Sequence, residues 1–258
     1  MTTTDPVLLE ERPSDGVVIV RLHRSAVLNA LNLALRQALA EAFTRLDADD
    51  TVRVIVLAGN ERAFCAGADL NEYVDATPTE IVARDMGRLW DAIGHCRKPV
   101  IAAVRGHALG GGCELAMHAD LIVAGEGARF GQPEVLIGLM PGGGATQRLT
   151  RAVGKFQAMH MLLTGAPVTA AQALQMGLAS EVVVDAEVEP RALALAVQLA
   201  ALPTLSVRLI KEAVLAGMNT GLDQGLAFER KSFALLFATP EKTEGLRARL
   251  EKRPAVYR

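Results

Sequence analysis

The feature that most limits the folds open to this chain is an alternation. Short apolar runs rich in β-branched residues, GVVIVRLH (16–23), VRVIVLAG (52–59), PVIAAVRG (99–106), DLIVAG (120–125) and SEVVV (180–184), are separated by stretches of helical periodicity. Each run is bounded by glycine, proline or charge, as strands are. The helical stretches carry start signals. Asn32 can cap a helix in which Leu35, Leu39, Phe43 and Leu46 recur at the helical period. Thr77-Pro78-Thr79-Glu80 reads as a capping box with proline at the first helical position, and Thr169 to Gln172 as a second, its helix ended by Gly177. Beyond about residue 186 only amphipathic helical patterns remain, from EPRALALAVQLAAL to PEKTEGLRARLEKR. The expectation is an α/β core followed by an all-helical C-terminal region. The 258 residues suit one large domain, or one domain with a short extension. No fixed-period repeat or low-complexity linker is evident.

Charge narrows the function classes. Lys and Arg number 27 and Asp and Glu 29, for a net charge of −2. That balance gives no electrostatic case for nucleic acid or an acidic membrane surface, although a local basic patch could still hold a phosphate. Cys65, Cys96 and Cys113 are scattered and odd in number, which does not read as a disulfide framework. The N-terminal MTTTDPVLLEERP lacks the basic-then-apolar pattern of a signal peptide. The greasiest stretch, ALALAVQLAAL (192–202), falls short of the roughly 20 residues that span a bilayer. The default expectation is a soluble cytoplasmic protein.

Two of the strand-like runs end in loops of glycine and alanine, AFCAGADL (63–70) and HALGGGCEL (107–115). Small residues let a ligand approach the backbone, so that N–H groups can point at it. Two such loops side by side would hold one oxygen between two donors, an oxyanion hole. The second loop runs into CELAMHAD, which places Gly111 near a helix N-terminus, where the dipole favours an anion. The small residues are equally compatible with tight packing alone. Glu114 follows the second loop in apolar surroundings, and Glu134 follows a proline in RFGQPEVLIGLMPGGGATQRL (129–149). A carboxylate in such surroundings needs a partner, a proton or a chemical role. In one site, repulsion would keep one of the two protonated near neutral pH, making an acid–base pair. Spacing does not exclude two unrelated glutamates.

Other motifs are weak. GEGARFG is not the dinucleotide fingerprint, and no glycine loop ends in the GK[ST] of a P-loop. The five histidines show no metal-ligand spacing, so no metal is expected. No serine sits in a GxSxG context. Arg97-Lys98 and RLTR (148–151) read as solvated surface.

AFCAGADLNE, KPVIAAVRGHALGGGCELAMHAD and ARFGQPEVLIGLMPGGGATQRLTRAVGK resemble the enoyl-CoA hydratases of the crotonase superfamily. The resemblance runs from LNAL (28–31) to EGLRARLEKR (244–253). It implies a crotonase-like spiral of ββα units over residues 1–185, holding the active site. A helical region over 186–258 would build trimers, usually paired into hexamers. Ala68 and Gly111 would supply the oxyanion-hole N–H groups. Glu114 and Glu134 would hold the catalytic water, Glu114 as base and Glu134 as proton donor to the α-carbon. Val27, Leu28, Ala66, Asp69 and Leu70 would line the coenzyme A channel, and Phe233 and Lys252 would reach it from a neighbouring subunit. The acyl-CoA thioester is the substrate, so no separate cofactor is implied. Many relatives carry lysine where this chain has Asn71, which could still hydrogen-bond but not pair with a phosphate. AGADLNE, Trp90 and GLMPGGGATQRL are similar to the dehydroadipyl-CoA hydratases of phenylacetate breakdown.

The reaction so implied is reversible syn-addition of water to a trans-2-enoyl-CoA. An enoyl-CoA isomerase of the same superfamily is the nearest alternative; such relatives often keep one acid and lose the other. A non-catalytic binding protein on the same fold, such as an RNA-binding relative, is opposed by the net charge and the intact glutamate pair.

Overall fold

The computed structural model describes residues 6–257. The first five residues of the N-terminal segment read above for a leader, and residue 258, lie outside the described residues. β1 (Leu8–Ser14), β2 (Gly16–Leu22), β3 (Val52–Ala58), β5 (Val100–Val104), β7 (Leu121–Gly125) and β10 (Glu181–Val183) form one six-stranded sheet in that order. Only β1, a charged edge strand, runs antiparallel to its neighbour. A second sheet has the order β4 (Ala63–Cys65), β6 (His107–Leu109), β8 (Arg129–Gly131), β9 (Val168–Thr169).

All five expected strands are present. The glycine–alanine loops, in contrast, each open with a short strand of the second sheet. Three residues hold no period, so periodicity cannot distinguish them from loop. These strands reveal a repetition that the sequence hides. Each of β3, β5 and β7 passes at once to β4, β6 or β8, and each pair leads to helical segments. The chain makes three turns of a ββα spiral, as the resemblance implies.

Alternate side chains of the large sheet face opposite ways. One set, including Val18, Val20, Leu22, Ile55, Leu57, Val100, Ala102 and Val104, forms the main core with Leu35, Leu39, Phe43 and Leu46 of α1 (Leu33–Ala48). Asn32 Oδ1 caps α1 by accepting from Leu35 N at 3.0 Å. The other set, including Val17, Ile19, Val54, Val56 and Ile101, is covered by α7 (Val188–Ala200) through Val188, Ala192, Ala196 and Ala200. That four-residue spacing makes one narrow stripe of mostly alanine, which lets the helix lie close to the sheet. Both expected capping boxes form, at α2 (Pro78–Ala83) and α6 (Ala170–Gln175).

Lys98 departs from the surface reading. It is 6% exposed. Its Nζ donates to Leu46 O at 2.6 Å and also to Asp49 O. The free carbonyls at the end of a helix satisfy a cation without any carboxylate, which composition cannot reveal. Arg148 is half-buried, whereas Arg97 stays at the surface against Asp47. The C-terminal segment continues as α8 (Thr204–Gly217), α9 (Leu222–Leu236) and α10 (Pro240–Leu250). Lys211 of α8 reaches back to Asp120 Oδ2 at 2.7 Å and Lys98 O at 2.8 Å, while α9 packs chiefly on α8. Among the described residues, no single helix is long and apolar enough to cross a membrane.

Candidate active site

The parallel pairing of β4 with β6 sets the two glycine–alanine loops side by side. Their approach depends on Gly112 in α4 (Gly111–Ala116), where a Cβ would fall 2.0 Å from Cys65 O. Any other residue there would drive the loops apart. Leu31 fixes the first loop through a parallel bridge, donating to Gly67 O at 2.7 Å and accepting from Asp69 N at 3.1 Å. The bridge uses the groups on either side of Ala68, so Ala68 N–H points away from it. Gly111 N opens α4, where an N–H has no partner within the helix. Ala68 N lies 3.7 Å from the position a Gly111 Cβ would take. The loops thus bring these two N–H groups near each other.

Glu114 is carried by α4 and is 3% exposed. Its Oε1 accepts from Gly143 N at 2.7 Å and Ala145 N at 3.0 Å. Ala145 opens α5 (Ala145–Thr164), so Glu114 caps that helix while Oε2 makes neither bond. Burial raises the Glu114 pKa, opposed by the two N–H donors and by Arg36. Glu134 stands on a 3₁₀ turn (Pro133–Ile137), its Oε1 2.7 Å from where a Gly110 Cβ would be. Burial first, and then the charge of Glu114, push its pKa up to about 7. The two glutamates are therefore neighbours in unequal surroundings. One accepts from two backbone N–H groups and has a nearby cation; the other is half-buried, and the charge it feels is that of the first carboxylate.

Several residues around this pair escaped the sequence reading. Gln132 is fully buried, and with its amide turned to donate, its nitrogen lies 3.3 and 3.2 Å from the Glu134 oxygens. His118, one helical turn beyond Glu114, holds Glu114 O at 2.8 Å through Nδ1. A carbonyl only accepts, so Nδ1 carries the proton. Burial lowers the His118 pKa to about 4, leaving a neutral ring. That ring stacks on Trp90 of α3 (Met86–Gly94), with centroids 4.9 Å apart. Arg36 also lies over the Trp90 ring, its guanidinium 5.2 Å from the ring centroid. The one available signal was Arg36 itself, a charge on the apolar stripe between Leu35 and Leu39.

The residues assigned to the coenzyme channel gather beside Ala68. Ala66 N donates to Leu28 O at 3.0 Å, and Val27 is 46% exposed. Asp69 pairs with Arg24 at 3.1 Å and accepts from Asn71 Nδ2 at 3.0 Å. Burial works to raise the Asp69 pKa, but Asn71 and Arg24 together hold it below its ordinary value. Leu70 is 53% exposed at the lip of this cluster. Phe233 and Lys252 stand apart within the single chain, exposed on α9 and just beyond α10.

The family model described as enoyl-CoA hydratase/isomerase matches residues 12–258. The 2,3-dehydroadipyl-CoA hydratase of Escherichia coli is 44% identical over 94% of this chain and 95% of its own. The mitochondrial enoyl-CoA hydratase of Pongo abelii is 41% identical over 98% of this chain and 87% of its own. A solved enoyl-CoA hydratase subunit I from Geobacillus kaustophilus superposes with a TM-score of 0.95 at 42% identity, covering 98% of each chain. The spiral fold, the paired glutamates and these full-length similarities agree, and the chain belongs to the enoyl-CoA hydratase/isomerase family.

Proposed function

We propose that this enzyme adds water reversibly and syn to trans-2-enoyl-CoA thioesters, giving 3-hydroxyacyl-CoA products. The observation that carries the reading is the unequal pair Glu114 and Glu134 beside the Ala68 and Gly111 donors. The thioester oxygen accepts from those two N–H groups, which stabilise it as charge develops. Glu114 Oε2 takes a proton from water as the water oxygen bonds to the β-carbon. The C=C electrons move onto the thioester as an enolate, and Glu134 returns a proton to the α-carbon. The surroundings suit these roles, because burial favours the protonated form at both carboxyls but is opposed at Glu114 by two backbone donors and a cation, whereas at Glu134 the charge of Glu114 adds to it. Both acids are present, which favours hydration over isomerisation.

The similarity to the Escherichia coli relative supports an acyl chain that ends in a carboxylate. A panel of enoyl-CoAs differing in length and terminal carboxylate, followed by loss of the conjugated-thioester absorbance, tests both reaction and substrate. No turnover of any member, crotonyl-CoA included, would leave the non-catalytic reading. The same proposal includes a trimer, paired into a hexamer. Phe233, Leu235, Phe237, Leu246 and Leu250 are all more than half exposed on α9, its end and α10, an apolar surface that a neighbouring subunit would cover. In that assembly Phe233 and Lys252 would reach the coenzyme of the adjacent subunit. A monomer by light scattering at micromolar concentration refutes the assembly.

A further inference from the structure

One buried charge enters the chemistry above only as the cation near Glu114. Arg36 is 7% exposed, its Nε has no hydrogen-bond partner, and no carboxylate pairs with it among the described residues. A lone guanidinium in a core is costly, and an apolar residue of similar size would be the ordinary occupant. Its surroundings are specific. The Arg36 guanidinium rests over the Trp90 ring at 5.2 Å. Arg36 Nη2 lies 3.6 Å, and Ala68 N 3.7 Å, from the position a Gly111 Cβ would take. The charge therefore lies close to Gly111, one of the two residues that carry the oxyanion donors. Trp90 leads from it to the base: Glu114 Oε2 and the Trp90 ring atoms Cε2 and Cζ2 all lie 2.7 Å from where a Gly143 Cβ would be.

We propose that Arg36 is a positioning residue for the hydration: its unpaired charge, held close to Gly111 and against Trp90, favours the carboxylate form of Glu114 and adds to the positive potential at the oxyanion site. The inference rests on the hydratase reading of this site. Among the described residues, the groups facing Glu114 leave Arg36 as the one source of positive charge close to it. Glu134 comes from the 3₁₀ turn at 133–137 and is an acid. His118, two residues past the end of α4, is neutral, and the guanidinium of Arg148 of α5 sits beside His118 near Gly94. Cys113 and Cys65 remain thiols, pushed up to about 12 by burial. In accord with this, Arg36 is the only side chain among the described residues that draws the Glu114 pKa down; the other two opposing contributions are backbone N–H groups.

The test compares wild type with Arg36→Met, Arg36→Gln and Arg36→Lys in enoyl-CoA hydration across pH, with urea unfolding of each. A base must be ionised to act, so loss of the cation moves the acidic limb of kcat/KM to higher pH. Turnover at neutral pH should fall by roughly tenfold or more in Met and Gln, and Lys should return the limb toward wild type. The urea midpoint of Arg36→Met should stay level or rise, because an unpaired buried charge has gone. A structural role would instead lower the midpoint and leave the limb in place. An acidic limb in Met and Gln that coincides with wild type overturns the proposal, and Gln decides where Met does not fold. If wild type hydrates no enoyl-CoA, the hydratase reading fails. The titration of Glu114, followed by the ¹³C-carboxyl resonance that Glu114→Gln removes, then decides the role of Arg36 independently. A resonance that titrates alike with and without Arg36 refutes it.

Discussion

Replacing Glu114 by glutamine tests the paired mechanism with little disturbance of the fold. The glutamine Oε1 can still accept from Gly143 N and Ala145 N, the bonds of 2.7 and 3.0 Å that cap α5. What goes is a charge that burial already disfavours and the ability to take a proton. Stability should therefore hold or rise slightly, while turnover falls. General acid–base groups contribute about a hundred- to ten-thousand-fold, so kcat should drop by at least about a hundredfold, or ~2.7 kcal/mol in barrier. Glu134→Gln should cost a similar factor. The double variant should lose much less than the product of the two, since a water deprived of one partner gains little from the other. Binding of an acyl-CoA product should survive in all three, because the Ala68 and Gly111 donors are backbone groups. The assay is the hydration rate at saturating enoyl-CoA. Near-normal hydration in either single variant refutes the pair, and fully multiplicative losses refute its action as one unit. Normal hydration in Glu114→Gln, with double-bond migration lost in Glu134→Gln, would point to an isomerase.

Three further outcomes follow from the same geometry. In Gly143→Ala the new Cβ would meet Glu114 Oε2 and the Trp90 ring at 2.7 Å, so the base must move and kcat should fall by roughly a hundredfold. Gly142→Ala, with nothing within 4 Å of its Cβ, is the matched control, and equal activity in the two refutes the close approach. The folded-state pKa of His118 is depressed from 6.5 to about 4, so its contribution is complete above pH 6.5 and is lost as pH falls through 4. Against a His118→Phe variant, wild type should lose roughly 2 kcal/mol of relative stability between pH 7 and pH 5 by urea unfolding, and a constant difference refutes the neutral buried ring. Asn71→Lys should change KM for coenzyme A thioesters more than kcat, because Asn71 is exposed and hydrogen-bonded to Asp69, among the residues assigned to the coenzyme channel. A fall in kcat at constant KM would refute that placement.

Much of the scaffold was legible because it is written in local patterns. Five strands of the large sheet, the Asn32 cap, both capping boxes and the helical C-terminal region each follow from a period or a cap that a few adjacent residues specify. Glu114, Glu134 and the glycine loops stood out as carboxylates and flexible backbone in apolar surroundings, and the family resemblance tied them together. The second sheet was not legible, because its strands are two or three residues long and exist only through pairing with chain segments far along the sequence. The same holds for burial of charge. Lys98 and Arg36 look alike in sequence, as cations beside apolar residues. Tertiary structure alone seats Lys98 on the carbonyls that end α1 and leaves Arg36 unpaired beside Gly111 and Trp90. The inequality of the two glutamates was decided in the same way. Local sequence supplies each carboxylate, but only the folded chain brings Gly143 and Ala145 N–H to one and leaves the other half-buried. A pKa depends on every group within several ångströms, whatever its distance along the chain.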